Sequence, residues 1–140
     1  MELSSKLYSE LVTAARAAAE RAYCPYSRFP VGAAVLTGTG EICAGCNVEN
    51  ASYGLTICAE RNAIFQAVAQ GRGPLSIVAV VVYTPTATPT APCGACRQVI
   101  NEFGPDARVI SVCDGPVSLE SSLGILLPNA FGPGNLELDV

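Results

Sequence analysis

The stretch Ile77-Val78-Ala79-Val80-Val81-Val82 does most to limit what this chain can become. It is an unbroken apolar run, rich in β-branched residues and bounded by turn signals. It lacks the alternation of a half-exposed strand, so it reads as a strand covered on both faces. Each face needs a partner, and the flanking sequence offers helices. Residues 3–22 place Leu3, Leu7, Leu11, Ala14, Ala15, Ala18 and Ala22 at helical spacing with charges on the other side. The alanines allow close packing, and Pro25 is expected to end that helix.

Residues 29–36 read as a first strand, Gly38-Thr39-Gly40 as a turn, and 41–48 as the returning strand of a hairpin. Residues 50–57 are a loop. A helix over 58–70 buries Ala59, Ala63, Ile64, Ala67 and Val68, stopped by Gly71 and Gly73-Pro74. After the strand at 76–83, the Thr- and Pro-rich segment 84–91 is a loop. Residues 93–103 form a helix ended by Gly104-Pro105. Residues 107–112 are another strand, 118–127 hold a short helix before Pro128, and Phe131-Gly132-Pro133-Gly134 is irregular. Strands alternating with helices indicate an α/β sandwich, with helices on both faces of the sheet and a single domain over 1–140.

Two cysteine motifs sit at the predicted helix starts: Cys58-Ala59-Glu60 and Pro92-Cys93-Gly94-Ala95-Cys96. A helix N-terminus stabilises thiolate, and residues three apart on a first turn point to one side. Cys58, Cys93 and Cys96 therefore suit three ligands of one zinc per chain, leaving a fourth position for water. Glu60 stands close enough to move that water's protons without binding the metal. Three thiolates overcharge a divalent ion, and Arg61 is placed to donate hydrogen bonds to them, with Arg97 a second candidate. Cys43-Ala44-Gly45-Cys46 is also C-x-x-C, but on a strand its cysteines face opposite sides and read as packing. Cys24 and Cys113 read as core or spectator thiols. The chain has no histidine, so acid–base work falls to carboxylates.

Charge narrows the partners. A net charge of −4 and the lack of a basic stripe argue against nucleic acid and point to a small uncharged substrate. Half the residues are hydrophobic, which suggests apolar surface covered by partner subunits. No signal peptide is visible and no apolar stretch spans a bilayer, so the expected location is cytoplasmic, without membrane. Seven cysteines in a reducing compartment favour metal or packing roles over disulfides.

The paired motifs match the known three-cysteine form of the zinc deaminase signature. With Cys24-Pro25-Tyr26-Ser27, Phe29-Pro30-Val31-Gly32-Ala33-Ala34, Asn47-Val48-Glu49-Asn50-Ala51-Ser52-Tyr53, Cys58-Ala59-Glu60-Arg61 and Pro92-Cys93-Gly94-Ala95-Cys96-Arg97-Gln98, the chain resembles the small cytidine deaminases of nucleoside salvage. The likeness runs from Cys24 to Pro133. It implies a three-layer α/β/α sandwich with a five-stranded mixed sheet, and a homotetramer with shared active sites. It implies hydrolytic deamination of cytidine and deoxycytidine, with Glu60 the proton carrier. It implies Phe29 beside the base, Ala59 among the substrate contacts, Asn47 and Glu49 on the ribose, Ala51 and Tyr53 at the subunit boundary, and Phe131 reaching in from another subunit. Three rival readings stand beside it: a deaminase of a nucleoside-like antibiotic, an RNA or DNA base editor, and a non-catalytic zinc-stabilised module. The Asn47-Val48-Glu49-Asn50 stretch and the Phe131 tail weigh against the first, and the acidic charge and the Asn47–Glu49 segment against the second. The long spacing between the Cys43/Cys46 and Cys93/Cys96 pairs weighs against a ribbon-type module.

Overall fold

The computed structural model describes residues 2–71 and 73–136. Helix α1 spans Ser5–Ala19, and the Ser4 hydroxyl caps it by accepting the Leu7 N–H at 3.2 Å. It stops well before Pro25. The Tyr23 N–H donates to Asn47 O and its carbonyl accepts from Glu49 N–H, so pairing with the chain beyond the hairpin draws residues 20–23 out of the helix.

The hairpin forms as strands β1 (Gly32–Thr37) and β2 (Ile42–Cys46), both shorter than the sequence indicates. Gly40 supplies the positive φ of 89° in the turn. Helix α2 (Ala59–Gln70) leads to strand β3 (Ile77–Tyr83), and helix α3 (Gly94–Phe103) carries the chain to strand β4 (Arg108–Val112). Residues 118–127 depart from the expected short helix. Strand β5 (Leu119–Ser122) comes first, pairing antiparallel with β4, and helix α4 (Leu123–Leu126) follows. Leu119-Glu120-Ser121-Ser122 has no strand pattern of its own. The β4 edge and the cross-strand ion pair of Arg108 with Glu120 impose extension on it.

The sheet order is β2-β1-β3-β4-β5, with β3 and β4 parallel and the other pairs antiparallel. The apolar run Ile77–Val82 occupies the centre. Its alternate residues serve two cores. Ala79 and Val81 join Ala34, Leu36 and Ile110 under α1, against Leu11, Ala15 and Ala19. Val80 and Val82 join Ala33, Val35 and Val109 under α2 and α3, against Ala63, Ile64 and Ile100. The three-layer sandwich and mixed five-stranded sheet are therefore as expected. Val68 is an exception to the predicted α2 face: it is 49% exposed.

Two glycines bring the layers together. A Cβ on Gly32 would lie 1.9 Å from Ala15 O of α1. A Cβ on Gly45 would lie 2.4 Å from Ala63 N and 3.0 Å from Ala59 O of α2. Each helix lies directly on strand backbone, so α2 sits at a height fixed by the missing side chain of Gly45.

Candidate active site

Sheet register explains why distant segments converge. Cys46 at the end of β2 pairs with Gly32 at the start of β1, and Gly32 pairs with Tyr83 at the end of β3. The chain entering β1 and the chains leaving β2 and β3 all lie at this one end of the sheet. From here α2 and α3 begin, with Cys58 and Cys93 as their N-caps.

Neither cap sulfur makes the usual capping bond, so both are free for another partner. Cys96 lies in the first turn of α3 and is buried. The Sγ atoms of Cys58, Cys93 and Cys96 all lie within 4.8 Å of one another, and the Cys58–Cys93 separation is 3.9 Å. Zn–S bonds of about 2.3 Å in a tetrahedron put sulfurs about 3.8 Å apart. The donor set and its spacing fit zinc. The described residues hold this one group of three metal-ligating side chains.

The electrostatics agree. A hydrogen bond from Cys96, followed by those from Arg61 and Cys93, draws the Cys58 thiol down to about 5 against the opposing effect of burial. The same Cys58 contact, with burial, pushes the Cys96 thiol up. Arg61 Nη2 donates to Cys58 Sγ at 3.4 Å. Arg97 does not share that role. Its Nε donates to Pro92 O at 2.8 Å and its Nη1 to Leu126 O at 3.0 Å, tying α3 to α4. Glu60 is 4% exposed. Burial first, and the Cys58 thiolate after it, hold its carboxyl above the usual carboxylate range. A carboxyl so placed accepts and releases protons nearer neutrality than an exposed one.

Cys58, Glu60 and Cys93 line a cavity of about 420 Å³ together with Phe29, Val31, Asn47, Glu49, Ala59 and Val82. Asn47 and Glu49, two apart on one face, both reach it. Each is also engaged by its own chain. Asn47 Oδ1 accepts from Val31 N–H at 2.9 Å, and its Nδ2 donates to Phe29 O at 2.8 Å. Glu49 Oε1 accepts the Tyr26 and Ser27 N–H groups at 2.9 and 3.1 Å, and Oε2 accepts the Ser27 hydroxyl. Ser27, Thr56 and Thr90 also line the cavity, and no role was read for them from the sequence. The one sequence signal for Ser27 is its place in Cys24-Pro25-Tyr26-Ser27.

Three expected contacts are not on this wall. Ala51 is exposed and does not line the cavity. Tyr53 is 74% exposed, and its ring meets that of Tyr26 at 5.6 Å, tilted by 56°, beside an adjoining hollow. The Phe131 ring is 58% exposed, while its carbonyl accepts from Gln98 Nε2 at 2.8 Å and Asn101 Nδ2 at 3.2 Å. The rival pair separates as predicted. Cys43 is buried in the α2-side core, and Cys46 lines a hollow with Ala14, Ala17 and Ala18 of α1. The Cys113 thiol is buried against backbone carbonyls, its nearest being Val117 O at 3.3 Å.

Three clustered cysteine sulfurs beside a buried carboxyl fit the arrangement of the zinc deaminases. The chain belongs to the family described as the cytidine and deoxycytidylate deaminase zinc-binding region, whose pattern matches residues 5–113. A cytidine deaminase of Halalkalibacterium halodurans is 49% identical over 123 residues, covering 86% of this chain and 91% of its own. The crystal structure of cytidine deaminase from Burkholderia pseudomallei is 50% identical and superposes with a TM-score of 0.83, covering 89% of this chain and 98% of that one. That of the Mycobacterium tuberculosis enzyme is 43% identical with a TM-score of 0.76, covering 89% and 97%.

Proposed function

We propose that this chain, acting as one domain over 1–140, hydrolyses the exocyclic C–N bond of cytidine and deoxycytidine to give uridine or deoxyuridine and ammonia. The observation that carries this reading is Glu60, buried at the wall of a mostly apolar cavity, one residue from the first turn's Ala59 and two from the Cys58 sulfur. Cys58, Cys93 and Cys96 hold the zinc, with Arg61 offsetting their charge. Zinc held there would supply a Lewis acid that makes the reacting water easier to deprotonate. The Glu60 carboxylate takes a proton from the attacking water, delivers one to N3 of the pyrimidine, and then helps protonate the departing amine. Phe29 and Ala59 pack on the base. Asn47 and Glu49 keep lone pairs, and Asn47 an N–H, beyond those their own chain uses, and these take the ribose hydroxyls. Water is kept out by the apolar walls, chiefly Val31 and Val82.

Ala51, Tyr53 and Phe131 act across subunit boundaries in a homotetramer, which supplies the walls that a single chain leaves open. All seven cysteines are free thiols, and the zinc ligands must stay reduced, which favours a cytoplasmic setting. The reading is tested by following the ultraviolet absorbance of cytidine and deoxycytidine with purified protein, assaying zinc on the same sample. Conversion to uridine or deoxyuridine with about one zinc per chain supports it. Zinc-loaded protein that turns over neither nucleoside refutes it.

A further inference from the structure

Ser27 stands where the two halves of the substrate cavity touch. Its hydroxyl donates to Glu49 Oε2 and accepts the Phe29 N–H at 3.0 Å. The Phe29 carbonyl is held from the other side by Asn47 Nδ2 at 2.8 Å. Both peptide groups of Phe29 are thus fixed by side chains that belong to the 47–49 segment or are tied to it. Between Ser27 and Phe29, Arg28 takes a left-handed φ of 55°. A non-glycine residue pays strain to stand there, and such strain persists only where neighbouring contacts over-determine the backbone. Phe29 itself is 39% exposed, so packing alone does not set its position.

We propose that Ser27 is a positioning residue that couples the carboxylate of the ribose end to the aromatic ring of the base end. This rests on the function proposed above and extends it to a residue of the cavity lining that the reading above leaves without a role. Glu49 grips Ser27 by two hydrogen bonds, one to each carboxylate oxygen, with the Tyr26 N–H a further donor to Oε1, and Ser27 passes that constraint to the Phe29 backbone. Nucleoside that engages Glu49 therefore meets a Phe29 ring already aimed, and the ordering cost of the segment is met before binding. Loss of the hydroxyl leaves the two backbone bonds to Glu49 intact but frees the Phe29 N–H. The effect falls on ground-state binding, since neither the zinc ligands nor Glu60 touch this circuit.

The test uses zinc-loaded wild type, Ser27→Ala, Ser27→Thr, Phe29→Ala and the Ser27→Ala/Phe29→Ala double variant, each checked for zinc content and melting temperature. Wild type must first turn over cytidine; if it does not, the function proposed above fails and the positioning role falls with it. Given turnover, Ser27→Ala is expected to raise KM about tenfold, the size of one lost hydrogen bond in a charged circuit, with kcat within about twofold. Ser27→Thr, which keeps the hydroxyl on an exposed position, restores KM. On the Phe29→Ala background the Ser27→Ala penalty shrinks to about twofold or less, because the residue it aims is gone. An unchanged KM in Ser27→Ala overturns the proposal. So does a loss confined to kcat or melting temperature, a Thr variant as weak as Ala, or a penalty that is fully additive with Phe29→Ala.

Discussion

Replacing Gly45 with alanine tests whether the height of α2 above the sheet sets the metal site. The new Cβ would lie 2.4 Å from Ala63 N, 2.9 Å from Asn62 C and 3.0 Å from Ala59 O, where ordinary contact begins at 3.4 Å. The obstacles are backbone, so no rotamer change relieves them. The first turns of α2 must retreat by about 1 Å, taking Cys58 and Glu60 with them while Cys93 and Cys96 stay on α3. Metal–ligand distances tolerate only about 0.2 Å. Zinc affinity should fall about 10- to 100-fold, comparable to losing a supporting partner of a ligand. Gly32→Ala is the control. Its Cβ meets α1 at 1.9 Å, a worse clash, but α1 carries no ligand. Both variants should be destabilised by about 1–3 kcal/mol or more. Competition with a chromogenic chelator, alongside thermal melting, reads the two effects separately. The reasoning is refuted if Gly45→Ala keeps wild-type zinc affinity, or if Gly32→Ala loses zinc equally.

Glu60→Ala should retain zinc and lose at least about 10²–10⁴-fold in kcat, read from cytidine turnover beside metal analysis. Arg61→Ala removes the 3.4 Å donor to Cys58 Sγ and should weaken zinc about 10-fold or more in the same chelator competition; unchanged affinity and rate would refute the charge argument. For Glu49, the Ser27 hydroxyl first, then the Ser27 and Tyr26 N–H groups, hold the carboxyl below its ordinary range. A depressed folded pKa gives stability that is fully present above the unfolded value near about 4.3 and is lost as pH falls through the folded value. The melting-temperature advantage of wild type over Glu49→Gln should therefore be flat at neutral pH and shrink on acidification below about pH 4.3; an advantage that grows there contradicts the assignment.

The metal site was legible because its chemistry is written in short spacings. Cys58 and Glu60 lie two apart and Cys93 and Cys96 three apart at helix starts, and a helix start fixes direction with little help from the rest of the fold. The central strand was legible for a similar reason, since burial on both faces needs a continuous apolar run. What escaped depends on partners. β5 becomes a strand because β4 offers an edge, and Leu119-Glu120-Ser121-Ser122 carries no sign of it. Val68 looked buried by helical spacing, but α2 turns that side away from the sheet. Pro25 looked like a helix stop, yet Tyr23 had already been claimed by the segment after β2. Asn47 and Glu49 could be read as polar and co-facial. Their engagement by the backbone of 26–31 could not, because that contact forms only when the chain entering β1 lies beside the chain leaving β2.

The spacing between the ligands has a mechanical side. Cys58 and Cys93 are 35 residues apart in the chain, yet their sulfurs lie 3.9 Å apart. A metal joining them is a cross-link, and the loop it closes contains α2 and the central strand. Closing a loop of that size takes about 4 kcal/mol of chain entropy from the unfolded state in the simple polymer description. The ion that serves the chemistry thus also staples the sheet's middle strand to the helices on either side of it in sequence. Thermal endurance and metal occupancy rise together in such a molecule. A preparation short of zinc would contain two populations that differ in melting point, one of them stapled and the other not.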